Sequence, residues 1–342
     1  MSYLFQHVGG DFPSKGRNVY VGGWKELGRT TLGADGDSIS VTSLADKRFY
    51  MILCDKKTGT ATDFNIRYNN DSGISYASRY SDNGGADGTQ LNATYTIHTA
   101  SGTPPEFVVG NISNYSTKEK LSISHSCSQN TAGATNIPNR RDAVGKWTNT
   151  ADAINRIDVV NVGAGDYAAG SELVVLGWDP LDNTSTNFWE ELASVNAGGA
   201  STNLSSGTIT AKKYLWVQAW LKNTTSHTTG MTFNNDTTTY AYRLSDNGGA
   251  DSTATSQADI SLYSAVTTPI FVNMFIINNS ANEKLVIGHT NSQSTAGAGT
   301  ACNRREFVAK YDNTAAQITE IDIDSSAGNW DSTSIIKVWG SN

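Results

Sequence analysis

The sequence repeats itself. The run Ser81-Asp82-Asn83-Gly84-Gly85-Ala86-Asp87 returns unchanged as Ser245-Asp246-Asn247-Gly248-Gly249-Ala250-Asp251, 164 residues further on. The same spacing separates Glu119-Lys120-Leu121 from Glu283-Lys284-Leu285, His125 from His289, Asn139-Arg140-Arg141 from Asn303-Arg304-Arg305, and Ile157-Asp158 from Ile321-Asp322. A unit opens at Trp24-Lys25-Glu26-Leu27 and again at Trp189-Glu190-Glu191-Leu192, and closes at Leu176-Gly177-Trp178 and at Val338-Trp339-Gly340. So many blocks in one register mean a tandem duplication, and a period this long belongs to an independent domain rather than to a solenoid repeat. Each half is large enough to bury its own core. The chain therefore divides into an N-terminal arm at 1–22, a first unit at 23–178, a polar, proline-bearing linker at 179–187 and a second unit at 188–342.

Within a unit the hydrophobic period is two. Leu121, Ile123 and His125 alternate with Ser122 and Ser124, and Ile157 and Val159 alternate with Arg156 and Asp158, as half-buried strands do. The chain is rich in Gly, with 32, and only 17% charged, which suits short strands joined by tight turns. No long stretch carries helical periodicity with capping signals. The predicted fold is all-β: two tandem antiparallel β-sandwich domains, jelly-roll-like, preceded by the arm. Other sandwich topologies satisfy the same pattern. The stretch 214–221 puts Leu215, Val217, Ala219 and Leu221 on one face and Tyr214, Trp216 and Trp220 on the other. Such a strand needs a second cover, from a neighbouring domain or subunit.

The net charge of −7 and a pI near 5.2, with no dense cluster of Lys and Arg, argue against nucleic acid as a partner. No apolar run approaches bilayer length and the first 17 residues lack a signal-peptide core, so neither a membrane partner nor export is expected. Cys54, Cys127 and Cys302 have no paired spacing and read as free thiols, Cys54 matching Ala219 as a small core residue.

Four features could carry function. The duplicated turn block offers Asp82, Asn83 and Asp87, and again Asp246, Asn247 and Asp251, as oxygen ligands for calcium. The simpler alternative is a tight turn in which Asn and Gly take positive φ and Asp caps backbone donors. His125 and His289 share one place in both copies, either as strand histidines bonded within the sheet or as metal or catalytic groups, with no second histidine beside either in sequence. Arg140, Arg141, Arg304 and Arg305 can grip carboxylates or phosphates, or form ion pairs that brace a sheet or a subunit contact. Tyr3, Leu4, Phe5 and Phe12 in the arm suit it to docking on a shell or adaptor. No nucleophile with a base, no distinctive carboxylate pair and no phosphate-binding glycine loop stands out, which predicts a protein that is not an enzyme and needs no cofactor.

The set Ser81 to Asp87, Glu119-Lys120-Leu121, Thr131-Ala132-Gly133-Ala134, Asn139-Arg140-Arg141 and Lys146-Trp147-x-Asn149-Thr150 resembles tandem-repeat virion structural proteins of marine tailed bacteriophages. The resemblance spans both units. It implies a component of the virion exterior assembled in the host bacterial cytoplasm: a capsid decoration or cement protein, with a tail fibre or receptor-binding protein for host surface glycans as the alternative. Its partners would be other virion proteins of capsid or tail, and further copies of itself, a homo-oligomer such as a trimer. The family pattern brings no catalytic residues with it.

Overall fold

The computed structural model describes residues 23–342 apart from 62, 98–103, 180–181, 183–186, 200, 224, 226, 267–268 and 294. The arm residues Tyr3, Leu4, Phe5 and Phe12 lie outside the described residues. The regular elements of the described residues are β-strands. The first unit comprises β1 (Lys25–Thr31), β2 (Ser38–Val41), β3 (Phe49–Lys56), β4 (Asn65–Tyr68), β5 (Tyr76–Asp82), β6 (Gly88–Ala93), β7 (Thr96–Ile97), β8 (Glu106–Ser113), β9 (Lys120–Ser128), β10 (Asn139–Trp147), β11 (Ile157–Val160) and β12 (Glu172–Trp178). They form an eight-stranded antiparallel sheet in the order β1-β12-β3-β8-β9-β10-β5-β6 and a four-stranded sheet in the order β2-β11-β4-β7.

The second unit repeats this with β13 (Glu190–Asn196), β14 (Asn203–Ser205), β15 (Tyr214–Leu221), β16 (His227–Phe233), β17 (Tyr240–Asp246), β18 (Ser252–Gln257), β19 (Ile260–Val266), β20 (Ile270–Ile277), β21 (Lys284–Ser292), β22 (Asn303–Tyr311), β23 (Ile321–Ser325) and β24 (Ile335–Ser341). The orders β13-β24-β15-β20-β21-β22-β17-β18 and β14-β23-β16-β19 match strand for strand. The chain is thus two antiparallel, jelly-roll-like β-sandwiches in series, and both copies carry a bulge in the opening strand, at Glu26/Gly28 and at Glu191/Ala193.

Each sandwich has its own core. In the first, Ile52, Cys54, Val108, Leu173 and Val175 from the large sheet meet Ile39, Ile66, Ile157 and Val159 from the small one. In the second, Leu215, Val217, Ala219, Val272 and Ile336 meet Leu204, Met231, Ile321 and Ile323. Cys54 and Ala219 occupy corresponding buried core positions, a thiol in one copy and a methyl in the other.

The blocks that mark the repeat are largely scaffold. Lys120 and Lys284 of the Glu-Lys-Leu motifs are fully buried, and their ammonium groups donate to the carbonyls of Asn149 (2.8 Å) and Asn313 (2.5 Å). In this way they tie the start of the ninth strand to the Asn-Thr loop of each copy, satisfying a charge that burial would otherwise penalise.

The period of two in β9 is present, but its faces are reversed from the half-buried expectation. Ser122, Ser124 and Ser126 point into the sandwich and are buried, while Leu121 and Ile123 point out and are exposed. The interior leaves no room for larger groups there. Tyr68, Tyr76 and Trp147 pack with ring centroids 5.8 to 6.3 Å apart. A Cβ on Gly145 would come 2.9 Å from the Ser122 hydroxyl. The apolar side chains therefore take the outer face.

The two large sheets meet through their outer faces. Met51, Leu53, Phe107, Val109, Val174 and Leu176 of the first unit form one buried cluster with Phe188, Trp189, Tyr214, Ile277, Leu285, Ile287 and Val308 of the second. A neighbouring domain is therefore the second cover that 214–221 needs, over the Tyr214 end. Trp216 is half-buried at the cluster's margin.

Candidate functional site

Polar groups close the joint around this apolar cluster. Tyr214 donates its hydroxyl to Glu172 at 2.8 Å, and Lys213 bonds Glu172 at 3.0 Å and Asp55 at 3.1 Å. The backbone N–H of Ala134 donates to Asp312 at 3.0 Å, and Lys310 donates to the carbonyl of Thr131 at 2.5 Å. The loop that carries Thr131-Ala132-Gly133-Ala134 is thus seated on the second unit.

The four arginines act as ion-pair residues, and the copies use them differently. Arg141 holds Asp82 (2.6 Å) and Arg305 holds Asp246 (2.7 Å), the same brace across β5/β10 and β17/β22. Arg140, 4% exposed, crosses the joint to Asp251 at 2.9 Å and Glu306 at 3.0 Å, while also touching Asp142 at 3.2 Å. Its counterpart Arg304 lies on the surface and reaches Glu306 at 3.4 Å.

The duplicated Asp-Asn-Gly-Gly-Ala-Asp blocks are tight turns. Asn83, Gly84, Asn247 and Gly248 all take positive φ, between 51° and 74°. The Asn83 and Asn247 side-chain oxygens accept from the backbone N–H of Arg140 (2.8 Å) and Arg304 (2.9 Å). Asp82 and Asp246 are taken by Arg141 and Arg305, Asp87 by Arg79 at 3.2 Å, and Asp251 by Arg140 and Arg243. The oxygens that a calcium ion would need are thus turned to guanidinium and backbone donors. The first-unit turn also abuts the joint: a Cβ on Gly84 would collide with the Asp251 carboxylate.

The two histidines do accompany each other. His125 on β9 and His289 on β21 meet edge to face across the joint, ring centroids 4.6 Å apart. His125 Nδ1 lies 2.8 Å from an oxygen of Asp142, its register partner on β10. Glu306 is the register partner of His289 and the repeat counterpart of Asp142. Burial, helped by the neighbouring His125, pushes the His289 imidazole down to about 4, so it is neutral at neutral pH. Burial works against the Asp142 carboxylate, but the contacts with His125 and Arg140 hold it below the usual range. Sequence reading missed Asp142 and Glu306. The signal was present, since they share the repeat spacing and immediately follow the Asn-Arg-Arg blocks, but only the strand register sets them opposite histidines.

Beside this joint lies an open apolar face. Leu121, Ile123 and Val144 are 56%, 53% and 48% exposed, whereas their counterparts Leu285, Ile287 and Val308, under the other unit, are 2%, 4% and 1% exposed. On one side of the Leu121–Ile123 ridge runs a cleft of about 440 Å³, lined by Trp24, Phe49, Ile112 and Trp178, with Phe49 and Trp178 stacked at 5.5 Å. On the other side is a second cleft of similar size, lined by Ala77, Leu91 and Val144. The second unit carries a different cleft of about 350 Å³, where Trp220 and Phe271 stand beside Asn291, Gln293 and Thr300.

No family model matches the chain, and no curated protein matches it. Among solved structures, it is similar over 93% of its length to 91% of the mouse laminin α1 chain, domains LG4-5, at 9% identity and a TM-score of 0.21. It is also similar over 82% of its length to 99% of Neisserial surface protein A, at 6% identity and a TM-score of 0.11. Likenesses this remote carry no argument about function.

Proposed function

We propose that this chain is a non-enzymatic structural protein of a bacteriophage particle's exterior, a capsid decoration protein, that assembles with further copies of itself through the outer face of its first unit. The virion setting rests on the sequence resemblance. The observation that carries the assembly role is the exposed Leu121/Ile123/Val144 face. The same three positions in the second unit are already an interface, and the open face continues directly from that joint. A monomer that leaves such a ridge and its flanking apolar clefts in water gives up roughly 1.5–3 kcal/mol for each large side chain it fails to bury. A second copy is therefore its natural cover.

The measurement is sedimentation velocity over a concentration series, on the full chain and on Leu121→Asp/Ile123→Asp. The full chain is expected to associate while the double variant stays at 36.6 kDa with an unchanged circular dichroism spectrum. A wild-type chain that is monomeric throughout the series overturns the assembly role.

A second reading, a fibre or receptor-binding protein for host surface glycans, is favoured by the Trp220/Phe271 cleft. Indole and phenyl faces beside side-chain amides and a hydroxyl are what sugar rings stack on and bond to. It predicts that the chain binds host cells and that Trp220→Ala/Phe271→Ala abolishes this binding. No binding by the wild-type chain removes the reading.

A further inference from the structure

The joint brings together His125 and Asp142 from the first unit and His289 from the second, with one ligand-capable atom of each lying within 4.8 Å of the others. Among the described residues this is the one grouping of three or more His, Cys, Asp or Glu side chains so arranged. From this geometry we infer a binding site for a divalent transition-metal ion of the zinc type, ligated by His125, Asp142 and His289, that pins the second unit to the first.

The donor set selects the ion. Two imidazole nitrogens and one carboxylate oxygen suit zinc and its first-row neighbours, whereas calcium and magnesium call for oxygen throughout. The frame is stiff. His125 and Asp142 are directly opposite each other in β9 and β10, and His289 projects from the middle of β21, so side-chain rotation alone has to close the ligand atoms to bonding distance.

Arg140 does not compete for the ion's place, because it touches the other Asp142 oxygen: Oδ2 at 3.2 Å, while Oδ1 faces His125. An outer donor on a ligating carboxylate fixes its orientation and commonly accompanies such sites. The Glu306 carboxylate, opposite His289 on β22, is engaged by Arg140 and Arg304. A cleft of about 220 Å³ opens beside His125 and Asp142, lined by Arg79, Tyr80 and Val144, and supplies both an entry path and room for water in the remaining coordination position.

The test uses the untagged full chain after chelator treatment, titrated with ZnCl₂ by calorimetry and with CoCl₂ by visible absorption. One ion per chain is expected, with tetrahedral or five-coordinate cobalt bands and a rise in Tm that grows with free zinc. His125→Asn and His289→Asn are each expected to weaken binding at least about tenfold, the scale seen when even an outer contact of a metal site is lost. Should either variant fail to fold, histidine ring resonances of the wild-type chain give the same answer: zinc must shift two of the five histidines. A wild-type chain that binds no zinc overturns the inference. So does zinc binding that survives both substitutions at full affinity, or that leaves those two resonances unmoved.

Discussion

Arg140 and Arg304 hold the same place in the repeat and have opposite environments. Arg140 is almost wholly buried and bonds Asp142, Asp251 and Glu306, whereas the Arg304 side chain is 56% exposed. Burial raises the Asp251 carboxyl, and Arg140 is the foremost group opposing that. Removing one partner of a buried ion pair leaves an uncompensated charge, at a cost of about 3–5 kcal/mol, whereas trimming a surface arginine changes stability by about 0.5 kcal/mol or less. Arg140→Ala is therefore expected to shift the urea midpoint strongly and Arg304→Ala hardly at all. Equal shifts would show that the joint does not depend on the cross-unit pairs.

At the level of strands, the sequence disclosed the elements but not which way they face. The period of two in Leu121-Ser122-Ile123-Ser124-His125 identifies β9, yet the rule that apolar side chains turn inward fails there. Hydrophobicity alone cannot report that Trp147, Tyr76 and Tyr68 already fill the space beneath. The 214–221 stretch was more legible. Its apolar residues on both faces required two covers, and the structure supplies the sandwich's own second sheet on one side and the first unit over Tyr214 on the other. The turn blocks were legible through the chemistry of Asn and Gly at positive φ. The pairing of His125 with His289 was not, because the repeat spacing that equates them says nothing about their distance. Only the docking of one sheet on another makes two equivalent residues neighbours.

In the whole molecule, that docking turns a duplication into an asymmetric body. One copy of the Leu/Ile/Val face is spent inside and the other remains on the surface. The joint's response to acid follows from Glu172, which accepts from Thr31, Lys213 and Tyr214. Burial alone would raise its carboxyl, but the bonds from Thr31 and Lys213 outweigh burial and hold it below the ordinary glutamate value of 4.5. A carboxyl lower in the folded than in the unfolded chain binds fewer protons when folded. Its stabilisation is thus fully present above 4.5 and drains away as pH falls through the folded value. Glu172→Gln, which keeps the shape but removes the charge, should cost on the order of 1–3 kcal/mol at pH 7. The gap between variant and wild type should then close progressively as pH falls below 4.5, followed by urea unfolding at each pH. A gap that stays constant into strong acid would show that the anion at Glu172 contributes nothing to holding the two units together.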